Sequence, residues 1–191
     1  LKGSNIAEQS HHPLDEFPIP ARHLLPMKKY RIGTVDGRLN FTSIQSMRGC
    51  PWKCIFCASE ALKTTRMVMR SPRSIVDEIK QVLKDYPYIT HIFFTDDVLT
   101  LWYDQHIKKV FDFILEECIK ITFESSTRAN LVEDEMVAHL AKAGLVRISM
   151  GLETVNTQMR DTMRKQVKLE DYTKALKIFK KYSVEGMTSV M

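Results

Sequence analysis

Apolar residues along this chain recur at two alternating periods, and their spacing predicts a succession of strands and helices. Tyr30 to Val35 and Arg38 to Ser46 flank Asp36-Gly37, a dipeptide suited to a tight turn, so a hairpin is expected to lead into a first core strand. Ser71 before Pro72 reads as a helix cap with proline at the first helical position, and Ile75, Val76, Ile79, Val82, Leu83 and Tyr86 then repeat at helical spacing. His91 to Thr95 suits a buried strand, and Trp102 to Glu117 a helix with Ile107, Val110, Phe111 and Ile114 on one face. Ile119, Ile121 and Phe123 alternate as a strand, and Val132, Met136, Val137 and Leu140 mark a helix stopped near Gly144. Val146, Ile148 and Met150 form a further strand. Tyr172, Ala175, Leu176 and Phe179 form a helix before Gly186, and Met187 to Met191 begins a fifth strand.

Strand and helix therefore alternate at about 25 to 35 residues per unit, which implies an α/β fold with parallel strands and right-handed crossovers. Each predicted strand ends in groups able to bind something. Cys50 follows the first, Thr95, Asp96 and Asp97 the second, Thr127, Arg128 and Asn130 the third, and Gly151 and Glu153 the fourth. Parallel α/β folds hold ligands at that edge, so the four strand ends are expected to converge on one mouth. Residues 1–29 differ. Pro13, Pro18, Pro20 and Pro26 lie there without a sustained period, which reads as a linker or strap attached to a domain over residues 30–191.

With 44% hydrophobic and 27% charged residues in 191, the chain has a globular composition that excludes collagen, disorder and a disulfide-stapled miniprotein. The length is short of the roughly 250 residues of a closed eight-unit α/β barrel. The net charge of +5 comes from basic residues interspersed with acids on helical stretches, so it reads as solvated helix faces and not as a nucleic-acid surface. No apolar run approaches the ~20 residues of a membrane span, and the opening LKGSNIAEQS lacks a signal-peptide layout, which makes the cytoplasm the expected compartment.

Three of the four cysteines fall in Cys50-Pro51-Trp52-Lys53-Cys54-Ile55-Phe56-Cys57. Disulfides across so short an arc stabilise little, whereas three thiolates on one loop suit a soft metal centre. Gly49 and Pro51 shape the turn. Three ligands leave one coordination position open, the mark of a reactive site, although a zinc site completed by a distant histidine fits the spacing too. Cys118 stands alone and is expected in the core. Arg128 can fork onto a carboxylate, or pair with a helix; Glu153 can accept from hydroxyls or an ammonium, or cap a helix; Asp96 and Asp97 can cap the next segment.

The C-x3-C-x2-C loop after a first strand, with an aromatic residue before its last cysteine, resembles the radical S-adenosylmethionine (radical SAM) superfamily. The likeness runs from about residue 39 to the end and includes RSPRSIVDEI, FTDD at Phe94 to Asp97, STRAN at Ser126 to Asn130, GLE at Gly151 to Glu153, and Met163-Arg164-Lys165. The set is similar to the cobalamin-binding radical SAM proteins, magnesium-protoporphyrin cyclases among them, and to methylthiotransferases. PLDEFPIPARHLLP resembles the segment joining a cobalamin domain to the barrel. The resemblance implies a partial (βα)6 TIM-like barrel of about four βα units plus the start of a fifth strand. It implies Cys50, Cys54 and Cys57 as ligands of a [4Fe-4S] cluster, Phe56 near the adenine of SAM, and Thr95, Asp96 and Asp97 where the family has a glycine-glycine-glutamate motif. Arg128 would meet the SAM carboxylate and Glu153 its ribose or amino group.

The implied activity is reductive cleavage of SAM to methionine and a 5′-deoxyadenosyl radical, fed by a flavodoxin or ferredoxin and acting on a small-molecule or peptide substrate. Cobalamin in a neighbouring domain would make the whole protein a methyltransferase. The alternatives are a non-catalytic zinc-binding module built on the same thiolates and an RNA methylthiotransferase. Because the family's barrel has six units, this chain is expected to be a piece of a longer protein. Its last strand is expected to be open to pairing or aggregation, and turnover by the piece alone is not expected.

Overall fold

The computed structural model describes residues 13–34, 37–61 and 67–191. A six-stranded sheet runs in the order β1 (Arg31–Thr34), β2 (Gly37–Ile44), β5 (His91–Phe94), β6 (Thr122–Thr127), β7 (Leu145–Glu153), β8 (Glu185–Val190). β1 and β2 pair antiparallel with Thr34 opposite Gly37, and every other neighbouring pair is parallel. Asp36 of the predicted turn lies outside the described residues. A two-stranded ribbon, β3 (Met47–Arg48) with β4 (Val68–Met69), and the short α1 (Ala58–Ala61) frame the cysteine segment.

The crossovers are α2 (Pro72–Asp85), α3 (Lys108–Glu116), α4 (Asp134–Lys142), α5 (Thr157–Thr162) and α6 (Leu169–Lys181). Helix α2 starts as its sequence predicts, with Ser71 accepting from the Ser74 amide and proline in the first turn, where no N–H is needed. Its Ile75, Val76, Ile79 and Val82 are buried, each stabilising the fold by about 1.5–3 kcal/mol. Phe94 on β5, Phe123 on β6 and Phe111 on α3 meet between sheet and helices, Phe111 stacked on Phe123 at 4.6 Å and Phe94 edge-on to both.

The sheet curls into half of a barrel, and one side chain demonstrates it. Arg147 on β7 donates through Nη1 to the Gly33 carbonyl of β1 at 2.9 Å, although four strand spacings separate β7 from β1. In a flat sheet that separation is about 19 Å, far beyond an arginine. The same guanidinium pairs with Glu124 of β6 and Glu185 of β8, so one end of the half-barrel is tied across its opening.

Three expectations are corrected. The predicted Trp102–Glu117 helix begins as a π-turn over Tyr103–Ile107, because Trp102 is left-handed (φ 53°), and the α-helix starts only at Lys108. β6 starts at Thr122 and not at Ile119, since the Ile119 amide donates to Ile114 O and finishes α3. Cys118, expected in the core, is exposed: it is the left-handed residue (φ 53°) that ends that helix. Gly144 answers a different demand. At φ +111° it ends α4, and a Cβ there would stand 2.2 Å from the Ile121 carbonyl oxygen.

Before the sheet, residues 13–29 strap across the fold in three single 3-10 turns. Arg22 is buried, donating to Thr42 Oγ1, the Ser43 carbonyl and Glu78, while Asp15 accepts from the Ser71 amide.

Candidate functional site

The site lies where the C-terminal ends of the parallel strands open, and it begins with how the chain leaves β2. Both backbone amides of Ser46 and Met47 donate to Asp96 Oδ1, at 2.9 and 2.6 Å, and Ser46 Oγ donates to Oδ2 at 2.9 Å. This buried carboxylate on the loop after β5 turns the chain out of β2 toward the cysteines. Burial pushes its pKa up to about 6 despite those donated bonds. Gly49 then adopts φ 105°, a conformation side chains resist, and delivers the chain to Cys50.

Cys54 and Cys57 flank a tight turn, with the Cys57 amide donating to Cys54 O at 3.0 Å. The loop is docked at its middle. The Ile55 amide donates to Met163 O at 3.2 Å, and Cys54 Sγ lies 3.8 Å from the Arg164 carbonyl, onto which it donates. That receiving segment follows α5. Arg160 holds it from inside, donating to Val167 O, and Tyr172 packs beside Arg160 while donating to Gly151 O.

A cavity of about 310 Å³ opens between these pieces. Cys50, Cys54, Phe56 and Cys57 line one wall, Asp97 and Arg128 come from the ends of β5 and β6, and Glu153, Lys165 and Ser189 complete it. Among the described residues no three His, Cys, Asp or Glu side chains converge closely enough for a single ion. The thiols instead ring a space. Cys54 is buried and the others are half-exposed. Burial, reinforced by the charge of Asp97, raises the Cys50 thiol above its ordinary value, with Arg128 pulling the other way. Three soft sulfurs around one cavity suit a multi-iron cluster, whose own charge would deprotonate them.

The remaining predicted residues divide. Phe56 lines the cavity with Lys165 Nζ 5.7 Å from its ring centroid. Arg128 is buried over the Trp52 ring at 4.2 Å, donating to Cys54 Sγ at 3.8 Å and to the Lys165 carbonyl. Glu153, left-handed at φ 62° beside a bulge in β7, pairs with Lys165 Nζ at 3.2 Å. Asp97 is exposed into the cavity. The side chains of Thr95 and Asp96 face away from this cavity: the Thr95 amide donates to Ile44 O and its side chain lines a separate groove under the strap, and both Asp96 oxygens are taken by Ser46 and Met47. Trp52 and Lys165 were not singled out as site residues from sequence. The only signal for Lys165 was its place in Met163-Arg164-Lys165, and Trp52 offered none beyond its position between two cysteines.

Residues 44–191 match the Radical SAM superfamily. An uncharacterized methyltransferase of Pyrococcus horikoshii is 28% identical over 179 residues, covering 92% of this chain and 37% of that protein. The hopanoid C-3 methylase of Methylococcus capsulatus is 29% identical over 166 residues, covering 85% of this chain and 30% of that protein. The chain thus spans about a third of the length of these relatives. Among solved structures, the radical SAM methyltransferase TsrM of Kitasatospora setae, bound to cobalamin and a [4Fe-4S] cluster, superposes with a TM-score of 0.70 at 18% identity, covering 79% of this chain and 31% of that one. The cobalamin-dependent SAM radical enzyme OxsB gives 0.68 at 22%, covering 78% of this chain and 23% of that one. These likenesses support a half-barrel fold, and the family match covers most of the described chain, including the whole thiol-lined cavity: the chain belongs to the Radical SAM superfamily.

Proposed function

We propose that this chain is the cofactor-binding core of a radical SAM enzyme, holding a [4Fe-4S] cluster through Cys50, Cys54 and Cys57 and SAM in the adjoining cavity. The observation that carries the reading is the meeting of three thiols with Asp97, Arg128 and Glu153 around one cavity at the strand ends. When bound, the reduced cluster and SAM together supply reductive cleavage of the sulfonium and a 5′-deoxyadenosyl radical.

The protein's own contribution is to bind and orient. Phe56 offers a face for the adenine ring. Glu153 accepts from the ribose hydroxyls or the SAM ammonium, sharing its carboxylate with Lys165. Arg128 presents its remaining N–H groups to the carboxylate, including Nε, which is buried without a protein partner. Asp97 is the one acidic side chain of Phe94 to Asp97 that faces the cavity, and Asp96 acts behind it by fixing the bend into the cysteine loop.

The relatives are named as methylases and methyltransferases, and TsrM and OxsB are described with cobalamin, which supports a cobalamin-dependent methyltransferase acting on a small molecule as the role of the whole protein. A flavodoxin- or ferredoxin-type protein serves as electron donor. Anaerobic reconstitution tests the core of the proposal. Near four iron and four sulfide per chain, with reductive cleavage of SAM, is expected, and Ala in place of all three cysteines abolishes both. One zinc per chain and no iron would refute it.

A further inference from the structure

The guanidinium of Arg128 stands in an unusual place for a group that only binds a ligand. It is 6% exposed, packed face-on to the Trp52 indole at 4.2 Å, and directs Nη1 at the sulfur of Cys54 while Nη2 donates to the Lys165 carbonyl. Trp52 belongs to the cysteine loop itself, two residues before Cys54. Arg128 comes from the end of β6. The stack therefore joins the loop to the barrel, and its planar cation is aimed at one of the three sulfurs.

We propose that Arg128, braced by Trp52, is a redox-tuning residue: a permanent N–H donor and positive charge on the Cys54 sulfur that favours the reduced cluster. This rests on the cluster reading above and deepens it. As a thiol, Cys54 both donates to Arg164 O and accepts from Arg128. On binding iron it loses its proton and can only accept, so the Arg164 carbonyl opposes its negative charge while the Arg128 N–H favours it. Adding one electron to the cluster increases the negative charge shared by the sulfurs, and a buried cation stabilises the more negative state. Arginine suits this role better than lysine. It remains charged at every relevant pH, its flat face stacks on an aromatic ring, and its fork serves two acceptors in fixed directions. Trp52 fills the complementary part: it covers one face of the guanidinium, keeping water from screening the charge.

The one-electron couple is the only chemistry involved: the cluster gains an electron from a low-potential donor, dithionite in the test, and no bond is made or broken. The experiment is an EPR-monitored reductive titration of the reconstituted protein beside Arg128→Met and Trp52→Leu, each with its iron and sulfide measured. Losing one hydrogen bond to a charged group is expected to weaken reduction about tenfold in Arg128→Met, which is a potential about 59 mV more negative for one electron. Trp52→Leu shifts the same way by less, because the cation remains but is no longer held. A fully loaded Arg128→Met, or Trp52→Leu should the first fail to fold, that titrates at the parent potential overturns the inference. A parent protein that binds no cluster overturns the functional reading beneath it.

Discussion

Asp96 makes the sharpest thermodynamic test, because its carboxylate is buried and accepts three donated bonds from the bend it holds. Its pKa rises from 3.8 to about 6 on folding, so between those values the folded state keeps a proton that the unfolded state has released. For an acid raised in this way stability is highest below the unfolded value, falls as pH climbs through the interval and levels off above the folded value. At about 1.4 kcal/mol per unit, the charged carboxylate costs about 3 kcal/mol at neutral pH. Asparagine keeps one oxygen to accept from the Ser46 and Met47 amides, and its NH2 can donate to Ser46 Oγ, so it mimics the protonated acid at every pH. Asp96→Asn is therefore expected to match the parent near pH 4 and to exceed it by roughly 1–3 kcal/mol at pH 7. Asp96→Ala leaves the amides of Ser46 and Met47, both essentially inaccessible, without an acceptor. At about 1–3 kcal/mol each it should lie about 2–6 kcal/mol below the asparagine variant with no dependence on pH. Urea unfolding followed by tryptophan fluorescence at several pH values measures all three. A gap between parent and asparagine that is the same at pH 4 and 7, or an asparagine variant weaker at pH 7, refutes the account of a costly buried charge.

Gly144→Ala should destabilise by about 3 kcal/mol or more, since the new methyl meets the Ile121 carbonyl at 2.2 Å and the residue sits at φ +111°; a change under about 1 kcal/mol in the same assay would show that the backbone leading into β6 yields there. In the cluster-free protein, Cys50 is expected to alkylate with iodoacetamide more slowly than an unperturbed thiol at neutral pH. Asp97→Asn should speed it by removing a charge that opposes the thiolate, and an unchanged rate would mean that Asp97 does not act on Cys50. Loss of iron, sulfide and SAM cleavage together on replacing Cys50, Cys54 and Cys57, and the potential shift in Arg128→Met, complete the set.

Much of this architecture is written in local pattern. The parallel order of β2, β5, β6, β7 and β8 follows from strand and helix alternating at a length that only crossovers can span, and the helix start at Ser71-Pro72 follows from capping chemistry. The cysteine spacing likewise announces ligation before any coordinates. What local pattern misjudged was the fine ending of elements. Ile119 and Ile121 alternate like a strand, but the amide of Ile119 is spent on closing α3, and Cys118 is apolar enough for a core yet is the residue that must turn left-handed.

That four strand ends carry polar groups toward one mouth is already legible in the chain, because strand direction and the placement of residues just after each strand are properties of its order. What those groups face depends on how the strands and loops pack in three dimensions. Asp96 and Asp97 are neighbours on the loop after β5, yet one reaches into the bend after β2 and the other into the cavity. Trp52, Arg128 and Lys165 lie far apart in sequence and meet at the strand ends, and the curl of the same sheet lets Arg147 reach Gly33. Curvature is a sum of small twists and side-chain contacts over the whole sheet, and no window of residues contains it.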